Sequence, residues 1–305
     1  MHTLEALSVG IGAWATLEGV TSTEVISLSK RSLYCRAPAG LVCVGSQSIG
    51  RGPINVLLSE HEWNALYNRI LVGEHLAFSI GPTSGIDTVL LMRRCIYAVR
   101  IDSPCDFGLK PVSLDFLWSL LFTYGKGPML CAFNGSASSA SDPIDKVVIQ
   151  RGKQGIDLLR ISWNRDEWQF IADVAVKTLL GLGPGLTPSG DDLLVGYMSG
   201  LDLISTISSR AREIKKIMQS NVLSSLARTN EISQTHIRWA CRGYYMESLT
   251  ALLKAIAGGD PEAVGNNMKE LLARGASSGT DTAIGLLLAL ENGKEMESSG
   301  YSLAN

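Results

Sequence analysis

The sequence lacks a CxxC pair, a metal-ligand spacing among its four histidines, an excess of basic charge and any long apolar run. Each absence removes a class of function. The six cysteines, Cys35, Cys43, Cys95, Cys105, Cys131 and Cys241, follow no regular spacing. They are expected to be reduced, mostly buried thiols rather than a disulfide framework or a zinc site. None of His2, His61, His75 and His236 accompanies a serine or cysteine motif. A formal net charge of −2 and a pI near 6.1 argue against nucleic acid, whose phosphates require clustered Lys and Arg. The longest apolar run, AIGLLLAL at 283–290, falls far short of the ~20 residues a membrane span needs. The opening MHTLEALSVGIGAWATLEG carries acidic residues and no basic stretch, so a signal peptide is not expected. The reading is a soluble, cytoplasmic protein with no nucleic-acid or membrane partner. The 46% hydrophobic and 18% charged content over 305 residues fits a globular chain of two domains or subdomains.

The pattern along the chain predicts an α+β fold, with a β-rich N-terminal part packed against a helical C-terminal part. The expected division is a β-rich domain over 1–110, connecting helices and a flexible loop over 111–165, and a helical domain over 166–305. SLYCRAPAGLVCVGS reads as strand, Pro-Ala-Gly turn and strand; GRGPINVLLS and HLAFSIG offer further strands, and TVLLMRRCIYAVRI one long strand or two. Ser113 and Gly125 bracket a helix with Leu114, Leu117, Leu120 and Leu121 at helical spacing. NGSASSASDP at 134–143 is the low-complexity stretch, and Asp142-Pro143 starts a helix that Gly152 and Gly155 weaken. RDEWQFIADVAVKTLLG places Trp168, Ile171, Ala172, Ala175 and Leu179 on one face and stops at Gly181. Further helices are expected near 190–208, 209–228, 232–257, 260–274 and 279–291, with Gly258-Gly259-Asp260-Pro261 a stop and restart.

One stretch exceeds what a connection needs: GLGPGLTPSGDDLLVGYMSG at 181–200. Ser189-Gly190-Asp191-Asp192 and Ser278-Gly279-Thr280-Asp281 both follow the pattern S-G-x-D-x-x-x-G, closing on Gly196 and Gly285. Ser84-Gly85-Ile86-Asp87 is a shorter echo. The structural reading is a cap, with Ser189 as N-cap and Asp192 at N3 on the positive end of the dipole, worth roughly 1 kcal/mol. That reading leaves Asp191 with no structural duty. The functional reading is a small-anion site. Small residues in GLGPGLTP free several amides, while Thr187 and Ser189 add hydroxyls. One of the two adjacent carboxylates is then left to hold a divalent ion such as Mg2+, or an amide or ammonium group. No motif specifies a cofactor.

The candidate substrate-binding residues are accordingly Gly183, Gly185, Thr187, Ser189, Gly190, Asp192, Ser278, Gly279, Thr280 and Arg238, with Asp191 and Asp281 as candidate catalytic carboxylates. An antiparallel pairing of the two helices would bring Asp192 near Asp281. Arg238 and Arg242, four residues apart beside His236 and Trp239, form either a solvated face or an anion clamp. Gly50-Arg51-Gly52-Pro53 is a weaker basic turn, and GASSG at 275–279 lacks the lysine of a P-loop.

The pair GLGPGLTPSGDDLLVGY and GASSGTDTAIGLLLAL resembles the AllH family, most specifically over 181–198 and 275–290. The resemblance implies a cytoplasmic subunit of a bacterial oxamate carbamoyltransferase, in anaerobic purine or allantoin nitrogen use. It implies exchange of oxalurate and phosphate with oxamate and carbamoyl phosphate, in company with FdrA-like and AllG-like subunits. The phosphate signature of other carbamoyltransferases, Ser-Thr-Arg-Thr, is absent, so an active site would be differently built or shared with partners. Two hypotheses follow: an enzyme subunit binding a small anionic substrate at 183–192 and 277–281, or a non-catalytic assembly or regulatory subunit whose motifs serve capping and packing.

Overall fold

The computed structural model describes residues 3–80, 88–100, 112–135, 142–161, 163 and 167–298. The chain divides into two compact units, one of residues 1–100 with 244–247, the other of 101–243 with 248–305.

The first unit holds nine strands among the described residues: β1 (Thr3–Glu5), β2 (Ser8–Gly10), β3 (Ser22–Leu28), β4 (Ser32–Ala37), β5 (Gly40–Ser46), β6 (Asn55–Leu58), β7 (His75–Ser79), β8 (Thr88–Leu90) and β9 (Ile96–Tyr97). They form one mixed sheet in the order β1-β8-β7-β3-β4-β5-β6-β2-β9. The hairpin β4–β5 turns at the Pro-Ala pair and pairs in unbroken register from Ser32–Gly45 to Ala37–Gly40. TVLLMRRCIYAVRI yields two short strands, β8 and β9, separated by a single 3-10 turn. Two helices that the strand-like pattern hid, α1 (Ile11–Leu17) and α2 (Glu60–Tyr67), cover the sheet. Helix α2 begins with a capping box, Ser59 and Glu62 bonding each other's backbone N–H, and Glu62 also accepts the N–H of Glu5 at 2.8 Å. Trp14, Leu17, Trp63 and Leu66 from these helices pack with Val25, Leu33, Val44, Val56 and Leu76 in one apolar core. Burial pushes the thiols of Cys35 and Cys43 up to about 12, so both stay protonated and inert. The described cysteines are free thiols.

The second unit is helical: α3 (Leu114–Tyr124), α4 (Pro128–Asn134), α5 (Pro143–Leu159), α6 (Trp168–Leu179), α7 (Ser189–Ile204), α8 (Ser209–Ser224), α9 (Glu231–Ala240), α10 (Glu247–Gly258), α11 (Pro261–Leu272) and α12 (Ser278–Ser298). Strands precede and helices follow, which is the α+β arrangement the sequence pattern predicts. The helix expected over 232–257 is two helices. Gly243, at φ +81, turns the chain where a helix cannot continue, and Tyr244 then bridges Arg100 in the first unit. Gly152 and Gly155 do not interrupt α5; a Cβ at either would fall 2.6 Å from Met129 Sδ or 2.4 Å from Leu179 Cγ, so they are there to admit α4 and α6.

Helices α7 and α12 form the centre. All but two of the 16 residues of α7 are buried, as is all of 279–289 in α12, the mark of helices apolar on every side. They run parallel, not antiparallel: Leu193 and Gly285, Gly200 and Ala289, and Ile204 and Gly293 meet in ascending order. The two glycines that close the motifs sit where the backbones touch. A Cβ on Gly196 would lie 1.9 Å from the Thr282 carbonyl oxygen, and one on Gly285 1.9 Å from that of Leu193. Both obstructions are backbone, which cannot rotate away. Gly196→Ala and Gly285→Ala are therefore each expected to destabilise the protein by about 1–3 kcal/mol or more. Gly258→Ala, where a Cβ meets nothing within 4 Å, should be neutral or slightly stabilising. Thermal or urea unfolding of the three variants checks this, and equal stability of all three would contradict the packing.

Candidate functional site

Parallel packing puts the N-termini of α7 and α12 side by side, and each is entered by a glycine-rich turn. Before α7, Gly181, Gly183 and Gly185 take φ of +79, +114 and +98, conformations that glycine adopts without strain. The N–H groups of Gly183, Gly185, Leu186, Thr187 and Ser189 find no backbone acceptor among the described residues. Pro188, not Ser189, is the N-cap; its carbonyl accepts from Asp191 at 2.9 Å and from Asp192 at 3.1 Å. Ser189 is thus the first helical residue and its hydroxyl is released from capping.

That hydroxyl bears on the other motif. Ser189 faces the Asp281 carboxylate, and Ser278 faces that of Asp192, with Thr187 beside it. The motifs are cross-bonded, serine of one to aspartate of the other, about an approximate twofold relation. Ser277 also donates to Asp281 Oδ2 at 2.9 Å. Asp281 is 0% exposed and Asp192 half-buried. One oxygen of each, Asp192 Oδ2 and Asp281 Oδ1, is enclosed with no hydrogen-bond partner. Burial pushes the Asp281 carboxyl up to about 7 against the pull of the Ser189 and Ser277 hydroxyls. Burial, and then the charge of Asp281, drives Asp192 well above the usual carboxylate range. Two such groups side by side retain a proton at neutral pH or take a cationic or N–H partner. No group of three His, Cys, Asp or Glu side chains gathers into a metal site among the described residues. A divalent ion here would rest on the two carboxylates with hydroxyl or substrate oxygens.

Asp191 reverses the expectation. It is 1% exposed and fully engaged: the Gly181 N–H donates to Oδ1 at 2.6 Å, and Ser233 Oγ donates to Oδ2 at 2.6 Å. The Thr229 hydroxyl donates to Oδ2 as well. The carboxylate staples the start of the loop and the start of α9 to α7. Burial raises its pKa, with the three donors opposing. Gly190 and Gly279 are also structural. Their N–H groups go to the carbonyls of Leu182 and Arg274, and a Cβ on either would lie 1.9 or 1.8 Å from the carbonyl oxygen of Leu179 or Leu271. Thr280 is buried and accepts the Lys126 N–H at 3.1 Å. Arg238 is exposed in the last turn of α9, at the opposite end from Ser233, so it does not meet the loop. Arg242 lies beyond the helix, over the Trp239 ring at 4.9 Å, so the expected i, i+4 pair does not form. His236 has its pKa lowered to about 4 by burial and is uncharged at neutral pH. The echo Ser84-Gly85-Ile86-Asp87 lies outside the described residues.

Thr229, Ser233, Arg151 and Arg228 carry no local motif and were not anticipated. The last two line a cavity of about 610 Å³ with Gly181, Leu182, Gly183 and Pro184. Thr229 and Ser233 straddle the Asn230 cap of α9, which the sequence shows only as a helix start.

The molecule is an α+β protein whose helical unit is organised around a twice-used helix N-terminus. Residues 179–290 match the family described as oxamate carbamoyltransferase subunit AllH. That stretch is less than half of the chain and holds both S-G-x-D-x-x-x-G motifs. No solved structure matches the chain. No described helix is long and apolar enough to cross a membrane.

Two expectations follow. Asp191→Asn puts an amide NH2 or a weaker oxygen against the fixed Gly181 N–H, and should destabilise the protein by roughly 1–3 kcal/mol; unchanged unfolding would contradict the staple. The raised pKa of Asp281 means the folded state binds more protons than the unfolded state between the ordinary carboxylate range and about 7. This contribution to stability is complete below that range and declines as pH rises to about 7. Melting temperature should therefore fall from pH 5 to pH 8, and Asp281→Asn should flatten that fall; an identical slope in the variant would contradict the burial of an acidic proton.

Proposed function

We propose that the chain is a subunit of a carbamoyltransferase complex that exchanges oxalurate and phosphate for oxamate and carbamoyl phosphate. It would act in the cytoplasm with FdrA-like and AllG-like partners. The observation that carries the reading is the pair of enclosed, unpartnered oxygens on Asp192 and Asp281 beside loop amides that have no backbone acceptor. Each substrate in this exchange except phosphate joins an anionic end to an amide –NH2. Backbone amides at a helix N-terminus suit the anionic end, and buried carboxylate oxygens suit the N–H donors. The family match over 179–290 supports the same reaction class.

The chemistry balances on the carboxyl pair. A phosphate oxygen attacks the ureido carbon of oxalurate, forming a C–O bond as the C–N bond to the oxamate nitrogen breaks. The proton lost by hydrogen phosphate passes to that nitrogen, giving carbamoyl phosphate and oxamate. Asp281, with a pKa near 7, is matched to receive and return a proton at neutral pH. The loop amides hold the anions and stabilise developing charge on oxygen.

A second reading, of an assembly subunit without chemistry, draws on Asp191, Gly190 and Gly279 being spent on packing. Asp281→Asn in the assembled complex separates the two. The isosteric amide preserves the shape, so the enzymatic reading expects kcat to fall about 10²–10⁴-fold with KM for oxamate changed less than about threefold. Carbamoyl transfer at the wild-type rate would favour the assembly reading.

A further inference from the structure

The cavity that borders the loop before α7 is open along α5. Ile144, Val147 and Arg151 fall at i, i+3 and i+7 of that helix, a single stripe, and all three line the cavity. Ile144 is 54% exposed and Val147 50%. The remaining aliphatic lining, Val148, Leu180 and Leu182, is buried. An enclosed ligand pocket covers most of its apolar wall; here half of the wall stands in water, which makes the feature a groove. Single exposed aliphatic side chains are ordinary. Two on one stripe, continuous with a buried apolar floor, form a surface suited to being covered.

Charge indicates what covers it. Arg151 on α5 and Arg228, which ends the 3-10 turn Leu226–Arg228, both line the groove. Both are exposed, and neither has an ion pair or a side-chain hydrogen bond among the described residues. The backbone on each side is fixed. A Cβ on Gly181 would lie 2.2 Å from the Arg228 carbonyl oxygen, and Gly152 and Gly155 seat α5 against Met129 and Leu179. The groove therefore exists before anything occupies it, with two unpaired guanidinium forks of the shape that carboxylates fit.

We infer that this groove seats a segment of another subunit of the complex, with aliphatic side chains against Ile144 and Val147 and acidic side chains against Arg151 and Arg228. The inference rests on the reading of the chain as a subunit and goes beyond it by locating where the chain is held. Arginine contacts beside packed apolar side chains are the kind that dominate subunit interfaces. The groove shares Gly181 and Gly183 with the loop, and the Gly181 N–H holds Asp191. A partner docked there borders the connection that leads into α7.

The test uses the full chain with the FdrA-like and AllG-like subunits, association being measured by biolayer interferometry. The wild-type chain is expected to bind at least one of them. Reversing both charges, Arg151→Glu with Arg228→Glu, should weaken association about tenfold or more, most strongly at low salt; Val147→Asp should also weaken it. All three side chains are exposed, so the melting temperature should stay near that of the wild type. Lys216→Glu, an exposed charge reversal on α8 outside the groove, should leave binding within about twofold. With both arginines intact, p-benzoylphenylalanine in place of Val147 should crosslink to a partner peptide that carries Asp or Glu beside an aliphatic residue. Replacing that acid by lysine should restore binding to Arg151→Glu. Wild-type association of the doubly reversed variant, or crosslinking only to a second copy of this chain, would overturn the groove and leave the complex reading intact. Failure of the wild-type chain to bind either subunit would overturn the complex reading, and the inference with it.

Discussion

The helical unit depends on one backbone contact made twice: Gly196 against the Thr282 carbonyl and Gly285 against that of Leu193. Only residues without a Cβ let two helices pass so closely, and the contact is placed so that the helices run parallel from a common level. Parallel neighbours align their dipoles, which repel, and crowd two positive N-termini into one buried place. The carboxylates one turn into each helix offset that charge. Burial then works against the carboxylates themselves, which is why their pKa values rise although each lies at the positive end of a helix. Close packing, charge and protonation are thus one problem with one solution, and the solution leaves polar atoms unsatisfied.

The unsatisfied atoms distinguish this centre from a purely structural one. Asp191 shows what a structural carboxylate looks like here: as buried as Asp281, with three donors on its two oxygens. Asp192 and Asp281 each keep an enclosed oxygen without a donor. Burying a polar group without a partner is unfavourable, and a fold able to surround Asp191 with hydroxyls and an amide had the means to do so twice more.

The repeated S-G-x-D-x-x-x-G pattern was visible in the sequence, as were the strand-then-helix order and most helix limits, because glycine, proline and apolar periodicity act locally. The direction of the α7–α12 pairing was not visible, since a local pattern says nothing about which way two helices lie. The duties of the adjacent aspartates were assigned the wrong way round for the same reason. The capping argument frees Asp191 only if Ser189 is the N-cap; Pro188 takes that position, and the partners of Asp191 stand 38 and 42 residues away. The helix expected over 232–257 runs through Gly243, as α5 runs through Gly152 and Gly155. Gly243 takes a positive φ and the next residues, Tyr244–Glu247, belong to the other unit, which a local pattern does not carry. Arg151 and Arg228 carry no pattern at all; only folding brings them into one cavity lining with Gly181 and Gly183.

The central claim is that packing α7 against α12 buries the Asp192 and Asp281 carboxyl groups so that both hold their protons above the ordinary carboxylate range. Carbon-13 NMR of the aspartate carboxyl groups across pH, with the two signals assigned through their asparagine variants, measures it directly. The account predicts that the Asp281 carboxyl titrates near 7, that Asp192 also titrates well above the ordinary carboxylate range, and that replacing either one shifts the titration of the other. Two independent titrations near 4, the ordinary value for a solvated aspartate, would contradict it.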